Sequence, residues 1–271
     1  MRVTSRNARF QQWAALLDNR AKRQRSGEFI IQGVRPITLA LRNGWPIRAL
    51  LYNADAAASR WARETLDTVA ATKIAVSAEL MQELGEKDER PPELLAVAGL
   101  PADDLARIPV GDGLLGVVAD RPASPGNLGT LIRSADAFGA SGVVVTGHAA
   151  DAYDPRSVRA STGSLFSLPV VRVASHRPVL EWVAAIRAGG TGVSLVGTDE
   201  RGDLDVAEVD FTRPTLLLVG NETAGLSTAW REACDHLARI PMLGTASSLN
   251  AAMAASIVLY ESARQRIAAR R

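Results

Sequence analysis

Short apolar runs recur along this chain. Each is followed by a loop rich in glycine, proline or acidic residues, and then by a stretch of helical spacing. Leu114–Ala119, Val143–Thr146 and Thr215–Val219 are the clearest runs. Strands separated by helices imply a sheet covered on both faces, so the alternation restricts the chain to the α/β class. The pattern predicts strands at Glu28–Gly33, Ile47–Tyr52, Lys73–Val76 and Glu93–Gly99, with helices over Val34–Arg42 and Ala58–Ala70 between them. A second series starts at Leu114–Ala119 and runs through Val143–Thr146, Leu168–Val173, Val193–Val196 and Thr215–Val219. It ends in a helix from about Ser248 to Arg266. Proline, glycine and aspartate gather at Pro101–Gly113, which reads as a linker. A length of 271 residues suits one large domain or two compact ones. The expected organisation is a basic N-terminal arm at 1–25, an α/β domain at 26–107 and a second α/β domain at 108–271.

Composition narrows the class further. Hydrophobic residues at 47% and charged residues at 22% give the balance of a globular protein and argue against disorder or a coiled coil. Aromatic residues are only 5%, so Ala, Val, Leu and Ile must fill most of the core. No apolar run reaches the roughly 18–20 residues that span a bilayer, and the basic N-terminus has no apolar stretch behind it, so neither a membrane span nor a secretory signal is expected. The single cysteine, Cys234, excludes an intrachain disulfide and a multi-cysteine zinc site and fits a reducing cytoplasm. His148, His176 and His236 lack further ligands at suitable spacing, so no metal is expected. The tryptophans are scattered and read as packing residues, with Trp45, beside Pro46, the candidate for an exposed one.

Charge is unevenly spread. Residues 1–25 carry Arg2, Arg6, Arg9, Arg20, Lys22, Arg23 and Arg25 against Asp18 alone, while the whole chain nets only +2. A basic arm on a mildly acidic body points to a polyanion, RNA or DNA being the usual one, with Arg6, Arg9, Lys22, Arg23, Arg25 and the nearby Arg35 as candidates for phosphate contact. The alternative is a solvated helix face, since Trp13, Leu16 and Leu17 give the segment helical spacing.

Three loops of the second domain stand out, because ligands of parallel α/β sheets bind beyond the carboxyl ends of strands. The first is Asp120–Gly129, with a Pro125-Gly126 turn, Asn127 as a candidate helix cap and Arg133 on the second turn of the helix that follows. Leu128, Leu131, Ile132 and Ala135 are expected to pack inward, which leaves Arg133 either a surface ion pair or a functional cation. The second is Val219–Leu226, where Gly220 and Gly225 flank Glu222 and permit close backbone approach to a ligand. The third is Ile240-Pro241-Met242-Leu243-Gly244 with Ser247-Ser248-Leu249-Asn250, Ser248 being a candidate cap for the last helix. No GxGxxG or P-loop follows any strand, which argues against dinucleotide or nucleoside triphosphate binding.

In order and combination, these segments resemble the three motifs of the SpoU/TrmH group of SPOUT methyltransferases, over about residues 113–264. The matches are Asn127, Arg133 and Gly139 in the first, Gly220, Glu222 and Gly225 in the second, and Ile240, Pro241, Met242, Ser248, Leu249 and Asn250 in the third. Weaker similarity from Phe29–Ala40 onward resembles the ribosomal-protein-like RNA-binding domain that many members carry in front. The chain departs from the family with Ala251-Ala252-Met253 where Val-Ser-Val is common, and with Gln32-Gly33 where Glu-Gly is common.

The resemblance implies a C-terminal SPOUT α/β domain tied in a deep trefoil knot, an exception to the unknotted rule. It also implies bent S-adenosylmethionine in that knot and a homodimer that places Asn127 and Arg133 near the partner's cofactor. Carried over by residue, Gly220, Ile240 and Leu249 contact the cofactor through backbone and Met242 lines its adenine pocket, with Thr198 and Gly244 as further contributors. The catalytic set is Arg133, Asn127, Glu222, Ser248 and Asn250. In this reading Arg133 stabilises the developing alkoxide of a ribose 2′-hydroxyl, because a guanidinium is a reluctant base. Asn127 orients the ribose or Arg133, Glu222 holds Arg133 or the second loop, and Ser248 and Asn250 brace the knot. The implied activity is 2′-O-methylation of ribosomal RNA, with transfer RNA as the nearest alternative substrate. A non-catalytic RNA-binding protein that retains the knot is the alternative from another class.

Overall fold

The computed structural model describes residues 2–85 and 90–270. The chain begins with β1 (Arg2–Val3), α1 (Ala8–Asp18), α2 (Arg20–Ser26), β2 (Glu28–Gln32) and α3 (Val34–Arg42). It continues through β3 (Ile47–Asn53), α4 (Arg60–Thr68), β4 (Thr72–Val76), α5 (Ala78–Leu84) and β5 (Leu94–Gly99). Next come β6 (Leu115–Asp120), α6 (Pro125–Ala137), β7 (Gly142–Thr146), α7 (Pro155–Ala160), β8 (Val170–Val173) and α8 (His176–Ala188). The last part holds β9 (Ser194–Thr198), β10 (Leu204–Asp205), β11 (Thr215–Val219), α9 (Thr228–Ala233), β12 (His236–Arg239) and α10 (Ala251–Ala269).

These elements form two compact units, 1–101 with 153–167, and 102–152 with 168–271. The first unit holds a five-stranded sheet in the order β1-β4-β3-β5-β2. β1, β4 and β3 run parallel, and β5 runs antiparallel to both β3 and β2.

Residues 1–25 are not an arm on this unit. β1 adds to its sheet beside β4, and α1 buries Phe10, Trp13, Leu16 and Leu17 in a core with Ile30, Leu51, Ile74 and Met81. The helical spacing of those apolar residues is therefore a packing face, and the charges lie on its far side. Arg23 is a second correction. Its guanidinium is 2% exposed, donates to Leu16 O at 2.7 Å and Leu17 O at 3.0 Å, and lies 3.9 Å from the Asp154 carboxylate. It closes the end of α1 and does not face solvent, which removes it from any phosphate-binding set. Arg6, Arg9, Lys22, Arg25 and Arg35 are exposed, Arg6 in an ion pair with Glu83 at 2.9 Å.

The domain limits move as well, from 107 to Pro101, with 153–167 rejoining the first unit. The reason is an aromatic cluster in which Tyr153 and Phe166 pack against Phe29 and Trp45. Trp45, expected at the surface, is half-buried there and donates its indole N–H to Phe166 O at 3.0 Å.

The second unit is a seven-stranded parallel sheet in the order β10-β12-β9-β11-β6-β7-β8. Every residue of β6, β7 and β11 is buried, which is why these strands read as unbroken apolar runs. With all strands pointing one way, the loops after β6, β9, β11 and β12 emerge at the same edge of the sheet.

Candidate active site

At that edge lies a cavity of about 460 Å³. Its walls are Thr198–Arg201 after β9, Val219–Gly225 after β11, Ala238, Ile240 and Met242 at the end of β12, Ser248–Leu249 with Ala251 and Ala254 leading into α10, and Arg231 of α9. The volume falls in the range of small-molecule sites.

The loop after β11 folds back on itself, with Asn221 and Gly225 paired N–H to O in both directions at 3.0 Å. Gly220 starts this turn, and a Cβ there would sit 2.3 Å from Gly225 C and 2.4 Å from Leu226 N. Only glycine lets the turn close this tightly. Asn221 fixes the turn through its Oδ1, which accepts from Thr223 N at 2.9 Å and Ala224 N at 3.1 Å. Its Nδ2 donates to Arg121 O at 2.8 Å.

The loop after β6 is held against this turn at two ends. At one, Asp120 is 3% exposed and its carboxylate accepts from Arg121 Nε at 3.1 Å, Arg121 Nη2 at 3.0 Å and Ser227 N at 2.8 Å. Arg121 also donates to Gly225 O at 3.2 Å, and it adopts φ 52°, a left-handed conformation that non-glycine residues seldom take. The hydrogen bond from Arg121 to Asp120, joined by their charge attraction, holds the guanidinium pKa above its ordinary value against the opposing effect of burial.

At the other end, Glu222 accepts from Ala123 N at 2.9 Å, Ser124 N at 3.2 Å and Asn127 Nδ2 at 3.0 Å. Burial works to raise the Glu222 pKa. The hydrogen bonds from Ala123, Asn127 and Ser124 outweigh it and hold the carboxyl below its ordinary value. Asn127 Oδ1 in turn accepts from Asn250 Nδ2 at 3.2 Å. The three segments singled out in the sequence are thus one hydrogen-bonded structure, with Glu222 and Asn127 at its middle.

This geometry reassigns two helix caps. Ser124, not Asn127, caps α6, its Oγ accepting from Asn127 N at 3.3 Å with Pro125 in the first turn. That frees the Asn127 side chain for Glu222 and Asn250. Asn250, not Ser248, caps α10, accepting from Ala252 N at 2.9 Å and Met253 N at 3.3 Å. Glu222 grips the loop after β6 and makes no bond to Arg133.

Of the residues assigned to the cofactor by resemblance, Gly220, Ile240, Leu249, Met242 and Thr198 line the cavity, as does Ser248. Thr198 is anchored by its Oγ1 donating to Leu218 O at 3.1 Å. Gly244 is exposed and does not line it. Arg133 is exposed on α6 and does not line the cavity, its side chain makes no hydrogen bond or ion pair among the described residues, and Leu128, Leu131, Ile132 and Ala135 of the same helix are buried. Asp199, Glu200, Arg201, Asn221 and Arg231 are cavity residues that sequence reasoning missed. Their one signal was the charged Asp199-Glu200-Arg201 run directly after an apolar strand. Cys234 is half-buried, and burial pushes its thiol pKa up to about 11.

Comparison with known proteins gives this geometry a context. Residues 7–96 match the SpoU L30e-like domain, and residues 115–260 match the SpoU rRNA Methylase family. The chain is 64% identical over 269 residues to the 23S rRNA (uridine(2479)-2′-O)-methyltransferase of Streptomyces viridochromogenes, across 99% of this chain and 94% of that one. The crystal structure of the SpoU methyltransferase AviRb from the same organism, in complex with AdoMet, is similar with a TM-score of 0.94 at 64% identity. It covers 97% of this chain and 99% of that chain. The Bacillus subtilis 23S rRNA (guanosine(2553)-2′-O)-methyltransferase RlmP is 29% identical over 257 residues, 95% of this chain and 96% of its own. With both units matched in order and a relative this similar along its whole length, the chain belongs to the SpoU rRNA methylase family.

Proposed function

We propose that this protein transfers a methyl group from S-adenosylmethionine to a ribose 2′-hydroxyl of ribosomal RNA, of the 23S large-subunit type, in the cytoplasm and as a knotted homodimer. The observation that carries the reading is the cavity beyond β9, β11 and β12, whose walls are the same three segments that Glu222, Asn127 and Asn250 tie together. The relative that is 64% identical carries the corresponding activity in its name.

The cavity suits the cofactor. Ile240, Met242 and Leu249 offer apolar surface to a planar base, and the Gly220–Gly225 turn offers backbone groups for polar edges. When bound, S-adenosylmethionine supplies an electrophilic methyl on a sulfonium. The protein's share of the work is then positioning and charge. Glu222 fixes the start of α6, Asn127 locks that start to α10, and Arg133 presents a permanent cation from the exposed flank of the same helix. Arg133 stabilises the alkoxide that develops as the hydroxyl proton leaves to water or a phosphate oxygen.

Because Arg133 lies off the cavity wall of its own chain, a second copy delivers it. Met253, Ile257 and Tyr260 of α10, exposed at 58%, 40% and 58%, form an apolar stripe suited to that contact. The first unit, with its exposed basic residues, engages the RNA.

Tritiated methyl incorporation into total RNA, followed by mapping of ribose methylation with and without the protein, tests this reading. A new 2′-O-methyl in 23S-type RNA supports it. Transfer of methyl only to transfer RNA, or to no RNA at all, overturns it.

A further inference from the structure

One part of the cavity lining is strongly charged. Besides the apolar Ile240, Met242 and Leu249, the cavity is lined by Asp199, Glu200, Arg201 and Arg231. Asp199 follows β9 directly and is held by its backbone, its N–H donating to Ala238 O at 3.0 Å. Its side chain is only 9% exposed, with Oδ1 accepting from Arg201 N at 2.9 Å and Oδ2 paired to Arg231 Nη1.

That pair fixes one end of the Arg231 guanidinium and leaves its lateral edge, Nε and Nη2, without a partner among the described residues. This edge is the planar fork that receives a carboxylate through two parallel hydrogen bonds. The other cation on the wall, Arg201, is 85% exposed and is placed 3.7 Å from Glu200. Arg231 is therefore the anchored cation, 42% exposed but held by a carboxylate that is itself only 9% exposed, and the wall also carries carboxylates. An amino acid presents this mixture of charges in mirror image.

We propose that Arg231, positioned by Asp199, binds the carboxylate of the amino-acid end of the methyl donor. The inference rests on the cofactor assignment above and adds a polar subsite to it. It predicts that the protein distinguishes ligands by their amino-acid end, with adenosine and sulfur held constant.

The test is calorimetric titration of the full chain with S-adenosylhomocysteine and with 5′-methylthioadenosine, which keeps the adenosine and thioether but lacks the amino acid. The wild type should prefer S-adenosylhomocysteine. Arg231→Met should weaken S-adenosylhomocysteine about ten- to a hundredfold, as expected for one hydrogen-bonded charge pair, and leave 5′-methylthioadenosine within about twofold. Arg231→Lys, which retains the charge and loses the fork, should recover part of the loss.

Equal weakening of both ligands by Arg231→Met would make Arg231 a structural support and overturn the proposal, as would unchanged affinity for S-adenosylhomocysteine. Equal affinity of the wild type for the two ligands overturns the subsite alone. Binding of neither overturns the cofactor assignment with it.

Discussion

Asn250 donates its side-chain amide to the Asn127 side-chain carbonyl at 3.2 Å, joining the first turn of α10 to the first turn of α6 across 123 residues of sequence. Asn127 passes the connection to Glu222 at 3.0 Å, and Glu222 passes it to the backbone ahead of α6. One carboxylate and two amides therefore set the relation between the helix that carries Arg133 and the loops that wall the cavity. Every side-chain nitrogen and oxygen of Asn127 and Glu222 takes part in this chain of bonds, which favours a positioning role for both.

Glu222 receives three donors, so Glu222→Ala leaves two backbone N–H groups and an amide without their acceptor. The expected cost is about 1–3 kcal/mol, read as a lower urea midpoint. The pH dependence has a fixed sign. The folded-state pKa lies below the ordinary 4.5, so the contribution of Glu222 to stability is complete above about that pH and is lost as the pH falls through the depressed folded value. Acid unfolding of Glu222→Gln, followed by circular dichroism, should show a shallower dependence than the wild type across that window. An identical profile would mean that the carboxylate is not held by these donors in solution.

Gly220→Ala tests the turn after β11. The added Cβ would meet backbone atoms of Gly225 and Leu226 at 2.3–2.4 Å, a contact that no side-chain rotation relieves. The turn must open, which moves the wall of the cavity. Affinity for S-adenosylhomocysteine should fall by about tenfold or more, while the melting temperature drops only a few degrees, since a surface turn contributes about 1–2 kcal/mol. Wild-type affinity would show that the turn does not shape the site.

How much of this was legible in the sequence depended on whether a residue's role was local. Thr215–Val219 and Val34–Arg42 announce themselves because apolar continuity and helical spacing are properties of neighbours. β1 carries no such signal, since a two-residue strand exists only through its pairing with β4. Asn127 reads as a helix cap because its type favours caps, yet Ser124 takes that place and a carboxylate 95 residues away claims the side chain. Arg23 reads as one more surface cation in a basic segment. Its burial follows from the carbonyls that end α1, which composition does not reveal. The site was readable as an ordered triple of motifs, while its charged wall at Asp199 and Arg231 was not, because only the parallel order of β9, β11 and β12 brings that wall to the same edge.

The α10 stripe predicts association. Ile257→Asp places a charge in the middle of Met253, Ile257 and Tyr260, on a face where each is 40% exposed or more. Sedimentation equilibrium should give a dimer for the wild type and a monomer for the variant. Methyl transfer should fall with the dimer fraction, because Arg133 no longer reaches a second cavity. A monomeric variant with full activity would place Arg133 in its own chain's site.

Arg133→Ala removes an exposed side chain with no bonds to lose, so folding and cofactor affinity should remain within about twofold of wild type. Tritiated methyl transfer should fall by about a hundred- to a thousandfold, the scale seen when one stabilising donor is withdrawn from a developing oxyanion. Arg133→Lys separates charge from geometry. Partial rescue indicates electrostatic stabilisation, and none indicates a need for the planar fork. Full activity of Arg133→Ala removes this residue from the reaction.

The structure also decides how the basic N-terminal segment is to be tested. Deleting residues 1–25 would strip Phe10, Trp13, Leu16 and Leu17 from the first core and unfold the unit, so a loss of RNA binding would carry no information about charge. Lys22 and Arg25 are exposed on α2, and replacing both with glutamine leaves the buried face intact. If each contacts a phosphate, the slope of log affinity against log salt should become shallower by roughly 0.7 to 0.9 per residue, with the melting temperature unchanged. Arg23→Gln should do the reverse. It loses the guanidinium that closes α1 and leaves Asp154 with a weakened partner, so stability falls while the salt slope per folded molecule stays the same. An unchanged slope in the Lys22 and Arg25 variant would assign the basic face of α2 to solvation and direct the search for RNA contacts to Arg9 and Arg35.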